Sequence, residues 1–237
     1  MIRIVYFISI LLLTGCSQKT MDRPAFVPPD SNSVNSAITY LALGDSYTIG
    51  ERVPEQERFP IQLADSLEAN GQKVSDVRII ARTGWTTGDL EQGISNATIE
   101  GDTFDLVTLL IGVNDQYRGY PIDDYGPAFH GLLNRAIAFA GDRNERVFVL
   151  SIPDYGVTPF GQQRPNPVQI SAEIDAYNQI NREIAELNGV TYINITPISR
   201  EALNNASLVA GDQLHPSGEM YRRWVEILLP EVTAALR

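Results

Sequence analysis

Five residues in four separate stretches of the chain carry the side-chain types that acyl transfer needs. Ser46 stands in YLALGDSYTIG (Tyr40 to Gly50), Gly84 in RTGWTTG, Asn114 in GVNDQYRGY, and Asp212 and His215 in GDQLHPSG. A serine hydroxyl is a poor nucleophile at neutral pH, so it needs a base within hydrogen-bond reach, and histidine has the pKa for that work. The chain has two histidines. His130, in GPAFHGLLN, falls inside a helical pattern, where a structural place on or under the helix is expected. That leaves His215, whose following proline, Pro216, keeps it out of helical geometry. Asp212, three residues earlier, can accept the Nδ1 proton, hold the tautomer and stabilise the imidazolium. A carbonyl under attack also needs donors for its developing charge. The Ser46 N–H, the Gly84 N–H with no side chain in the way, and the Asn114 amide can supply them.

Each fragment also has an ordinary explanation. Gly-Asp-Ser, the turn around Gly84 and Asn114-Asp115 are common turn chemistry, and an aspartate three residues before a histidine can start a turn while the histidine caps a helix. What sets them apart is the element that precedes each one. Strands are expected near Thr39–Leu43, Val77–Ala81, Leu106–Ile111, Val147–Ile152 and Thr191–Ile195, with amphipathic helical segments between them closed by Gly71, Gly141 and Gly189. Strand and helix in alternation predict a five-stranded parallel sheet covered by helices on both faces, a three-layer α/β/α sandwich. Ligands of such sheets bind beyond the carboxyl ends of the strands. Ser46, Gly84 and Asn114 follow the first three strands, and the passage after the fifth leads to Asp212 and His215.

In this order and spacing, GDSYT, RTGWTTG, GVND and DQLHP resemble the blocks of the SGNH hydrolases, the GDSL-type esterases and lipases. The resemblance spans nearly all of residues 37–237 and is specific as a set. It implies a flavodoxin-like fold and a serine hydrolase of carboxylic esters working through an acyl-enzyme. Ser46 would be the nucleophile, His215 the base, Asp212 its orienting partner, and Ser46, Gly84 and Asn114 the oxyanion hole, with no metal or cofactor. The fourth residue of the named motif, often Leu, is Tyr47 here, which bears on substrate preference. The residue two after Ser46 is Thr48, unlike the Gly-x-Ser-x-Gly elbow of α/β-hydrolases. The same fold serves acyltransferases and carbohydrate O-acetyl esterases. A binding module would have lost one of the five residues, and none is missing. A cation on Asp45, Asp212 and His215 is a further alternative.

Composition narrows the partners. The 237 residues carry 18 Lys+Arg against 29 Asp+Glu, a formal net charge of -11, which repels phosphate backbones and argues against nucleic-acid binding. The first residues, MIRIVYFISILLLTGC, place Arg3 before an apolar run and read as a signal peptide over residues 1–15. Leu13-Thr14-Gly15-Cys16 resembles the bacterial lipobox. That resemblance implies lipidation of Cys16, the only cysteine, and anchoring at the cell envelope, with Ser17 leaning toward the outer membrane. Residues 16–36, rich in Pro, Ser and Asn, are expected to be a flexible tether, and residues 37–237 the catalytic domain. For a small acyl-ester substrate, Tyr117, Tyr120, Tyr155 and Phe160 are candidate wall residues. The Pro-rich stretch DYGVTPFGQQRPNPVQ, unstructured in pattern, is the candidate variable wall.

Overall fold

A computed structural model describes residues 37–237. The signal-peptide, Cys16 and tether readings lie outside the described residues. Five strands, β1 (Ile38–Gly44), β2 (Val74–Ala81), β3 (Leu106–Leu110), β4 (Val147–Leu150) and β5 (Thr191–Ile193), form one sheet in the order β2-β1-β3-β4-β5, with every pairing parallel. Among the described residues the α-helices are α1 (Ser46–Ile49), α2 (Phe59–Ala69), α3 (Thr87–Asn96), α4 (Val113–Tyr117), α5 (Ile122–Phe139), α6 (Pro159–Gln162), α7 (Pro167–Leu187), α8 (Thr196–Arg200) and α9 (Gly218–Ala235). None of the described helices is long and apolar enough to cross a membrane.

Handedness distributes the layers. A right-handed crossover from β1 out to β2 puts α2 on one face, and the crossovers that run the other way put α3, α5 and α7 on the opposite face. The packing agrees: α2 lies against α9, and α5 against both α3 and α7. Strands covered on both sides must be apolar on both sides. Accordingly Tyr40 to Leu43 of β1 and all of β3 and β4 are buried, whereas Ser75 and Asp76 on edge strand β2 are exposed. The chain leaves β1 in one direction and β3 in the other, so the sheet's switch point falls between these neighbours. Ser46 and Asn114 follow those two strands.

The strands differ from expectation at their ends. β2 starts at Val74, three residues before the expected Val77, because exposed Ser75 and Asp76 interrupt its apolar pattern. β4 stops at Leu150 because Asn178 of α7 binds both the N–H (2.7 Å) and the C=O (2.9 Å) of Ile152, taking the place of a neighbouring strand. β3 and β5 likewise end before Ile111 and Ile195.

The Pro-rich stretch requires a correction: it is structured. Residues Tyr155–Val157 form a 3-10 turn, α6 follows, and α7 begins at Pro167. Pro159 and Pro167 each sit in the first turn of a helix, where a missing N–H costs nothing. Asp154 anchors the segment, accepting from Gly156 N–H at 2.8 Å and from Arg200 Nε at 2.9 Å.

Candidate active site

Ser46 is the first residue of α1 and is almost fully buried. Asp45 caps that helix, its Oδ1 accepting from Tyr47 N–H at 2.9 Å. Its Oδ2 finds no partner among the described residues, and the side chain is fully buried. Burial outweighs the Tyr47 hydrogen bond and, with nearby Asp115, pushes the Asp45 carboxyl up to about 8.

His215 and Asp212 make a close polar contact, with Nδ1 and Oδ2 2.6 Å apart. The other carboxylate oxygen of Asp212 accepts from the backbone N–H groups of Leu214 (3.1 Å) and His215 (3.0 Å). Asp212 therefore both starts the turn and holds the ring. Burial pushes its carboxyl up, but the bonds from the His215 ring and from the two N–H groups outweigh it and hold the group below its ordinary value. Arg52 Nε lies 3.8 Å from the same Oδ2. The following helix, α9, is capped by Ser217, whose Oγ accepts from Met220 N–H at 3.2 Å, so His215 is not the cap. A bridge between Val209 and Pro216 closes the histidine loop, and Phe160 N–H ties it to the neighbouring wall by donating to Gln213 O at 3.0 Å.

Ser46, Gly84, Asn114 and His215 all line one cavity of about 190 Å³. Four stretches separated by up to 169 residues thus meet at the carboxyl edge of the sheet. Gly84 has φ +83, a left-handed conformation that favours glycine. Asn114, in the first turn of α4, donates through Nδ2 to Trp85 O at 2.9 Å, which leaves its second amide hydrogen free to serve elsewhere. The rest of the lining is mainly apolar: Tyr47, Val113, Tyr117, Tyr155, Phe160 and Leu214. Tyr47 meets the imidazole edge-on, ring centres 5.9 Å apart.

One candidate wall residue lies elsewhere. Tyr120 lines an adjacent cavity, not this one, because Gly119 (φ +68) reverses the chain and Tyr120 N–H bonds back to Asp115 O at 3.0 Å. Asp45 does not join Asp212 and His215; no group of three potential metal ligands occurs among the described residues. His130 lies on the exposed side of α5, outside the cavity lining. Sequence reasoning missed Asp115 and Arg118. Buried Asp115 accepts from Thr87 Oγ1 (2.7 Å) and Thr87 N–H (3.0 Å), and burial pushes its carboxyl up despite those bonds. Arg118 Nη2 donates to Gly84 O at 2.5 Å. No local pattern signals either contact, since the partners lie about 30 residues away in sequence.

Comparison with known proteins follows the same lines. Residues 42–223 match the profile described as the GDSL-like Lipase/Acylhydrolase family. An arylesterase of Vibrio mimicus is 32% identical over 123 residues, a match covering 49% of this chain and only about half (56%) of that protein. Among solved structures, Axe2, an acetylxylan esterase from Geobacillus stearothermophilus, superposes with a TM-score of 0.59 at 20% identity, covering 85% of this chain and 94% of its own. TesA gives a TM-score of 0.64 at 18% identity, covering 83% and 99%. At such identities the structures speak for the shared fold.

Proposed function

Because the chain belongs to the GDSL-like lipase/acylhydrolase family, we propose that it hydrolyses carboxylic esters through a Ser46–His215–Asp212 triad and an acyl-enzyme. One observation carries the reading: the 2.6 Å His215–Asp212 pair borders the cavity that Ser46, Gly84 and Asn114 also line.

With Nδ1–H donated to Asp212, His215 keeps Nε2 unprotonated and ready to accept a proton. Ser46 Oγ gives up its proton to Nε2 and bonds to the ester carbonyl carbon. The carbonyl oxygen takes the negative charge, and the N–H groups of Ser46 and Gly84 and the free Asn114 amide hydrogen stabilise it. Collapse breaks the bond to the alkoxy oxygen, which leaves as alcohol with the proton from Nε2. Water repeats the sequence, releasing the carboxylic acid and restoring Ser46. The low-lying Asp212 carboxyl suits this role, since it stays ionised while the ring cycles.

The cavity, at about 190 Å³, is smaller than the roughly 300–1,000 Å³ that encloses drug-sized ligands. Its mainly apolar lining therefore favours a short or aryl acyl group. The test is a panel of p-nitrophenyl esters from acetyl to palmitoyl. Acetyl and butyryl esters are expected to turn over fastest, and Ser46→Ala to lower kcat at least about 10³-fold with the fold intact. Equal rates for the two proteins refute the triad, and a palmitoyl optimum refutes the short-acyl assignment. We also propose, from the lipobox alone, that Cys16 carries a lipid that holds the enzyme at the bacterial envelope.

A further inference from the structure

We infer that Arg118 is a positioning residue for the proposed ester hydrolysis, acting through Gly84. The inference rests on the proposed function for its kinetic consequence and on geometry for its physical content.

Three side chains from one short stretch hold the segment after β2 at successive points. Arg118 Nη2 donates to Gly84 O at 2.5 Å, Asn114 Nδ2 donates to Trp85 O at 2.9 Å, and Asp115 accepts from both the N–H and the hydroxyl of Thr87. Asn114 and Arg118 are four residues apart, so they project from the same side of α4 and its C-terminal cap. On the other side of the glycine, the Thr83 hydroxyl donates to Glu51 at 2.5 Å. Gly84 is therefore pinned before and after the one residue whose backbone, at φ +83, is free to choose among many conformations.

That freedom is the reason a pin is needed. A glycine admits the close approach of a substrate, but its N–H points usefully only if the flanking peptide planes are held. Asn114 and Asp115 hold Trp85 and Thr87; Arg118 alone among these side chains holds the carbonyl of Gly84 itself. Asp89 steadies the guanidinium at 3.6 Å. The Arg118 side chain is 42% exposed, so its bonds contribute little to global stability. What they contribute is the direction of one donor. Catalytic donors act when fixed in advance, and outright loss of one costs about 10²–10³ in rate. Loosening one is expected to cost part of that.

The experiment compares wild type, Arg118→Met and Arg118→Lys with p-nitrophenyl acetate. Arg118→Met is expected to lower kcat about 10-fold or more with KM within about twofold, because a loosened donor weakens transition-state binding and not ground-state binding. Arg118→Lys should recover part of the loss, since an ammonium can make the single bond to Gly84 O without the fork. Hydrogen–deuterium exchange over residues 82–88 should quicken in Arg118→Met while the rest of the domain keeps its wild-type pattern. Unchanged kcat, or a rise in KM at constant kcat, overturns the inference; the second result makes Arg118 a substrate contact. Should wild type turn over no ester, the proposed function fails, and exchange still decides the strap: an unaltered rate over residues 82–88 overturns it.

Discussion

Asp45 sits beside the proposed nucleophile and has the most displaced carboxyl of the site. Its removal from water makes the neutral form the stable one in the folded chain, whereas an unfolded aspartate ionises near about pH 3.9. Between about pH 4 and about 8 the folded state therefore binds a proton that the unfolded state has released. Stability from this group is complete below that window and falls as pH rises through it, by up to about 1.4 kcal/mol per pH unit. Asn is isosteric with the neutral acid and keeps the oxygen that accepts from Tyr47 N–H. Asp45→Asn is thus expected to gain on wild type as urea titrations move from pH 5 to pH 8. Two parallel profiles would show that Asp45 is ionised in the fold. The sequence signalled Asp45 as a turn residue or a cation ligand and not as a buried acid, because burial depends on what packs over it from other parts of the chain. Asp212 is the reverse case: its spacing to His215 is local, and the 2.6 Å contact between the two side chains is made within one turn of chain.

At the scale of elements, the join between β1 and α1 sets how near the serine comes to the sheet. Gly44 ends β1 beside Ala81 of β2 and Leu110 of β3, and a Cβ there would overlap both the Thr48 hydroxyl and the Leu110 carbonyl. Only the absence of a side chain lets α1 turn so tightly over the strand. Gly44→Ala should therefore cost about 1–3 kcal/mol by overpacking and also slow ester turnover, since relief of the overlap has to move Ser46. Denaturation and kinetics on the same protein check both effects; a fully stable, fully active variant would contradict the close approach. The strand and helix order was legible here because periodicity is local. Strand ends were less so: β4 stops where Asn178 from α7 satisfies Ile152, and no window around Ile152 contains that asparagine. The wall from Asp154 to Pro167 was misread for a related reason. Its prolines signal a break, yet Pro159 and Pro167 each begin a helix, and Arg200 from α8 holds the start of the segment.

For the whole molecule, the decisive feature is a parallel sheet whose chain leaves β1 and β3 in opposite directions, opening a crevice at their carboxyl ends. The described residues, 37–237, fall within one compact unit, and the proposed anchor and the proposed chemistry are tested by different variants. Cys16→Ser is expected to move the protein from the membrane fraction to the soluble one while kcat on a water-soluble ester stays within about twofold. Retention on the membrane would set the lipid assignment aside. By itself the sequence determined the residue types, their order, and the rule that each follows a strand, because turn chemistry and hydrophobic periodicity act over a few neighbouring residues. Only the tertiary structure decided that Asn114 spends one amide hydrogen on Trp85, that Arg118 holds Gly84, that Tyr120 faces a different cavity and that Asp45 is sealed from water. Those outcomes depend on which crossovers pack side by side, and packing joins residues that no stretch of sequence contains together.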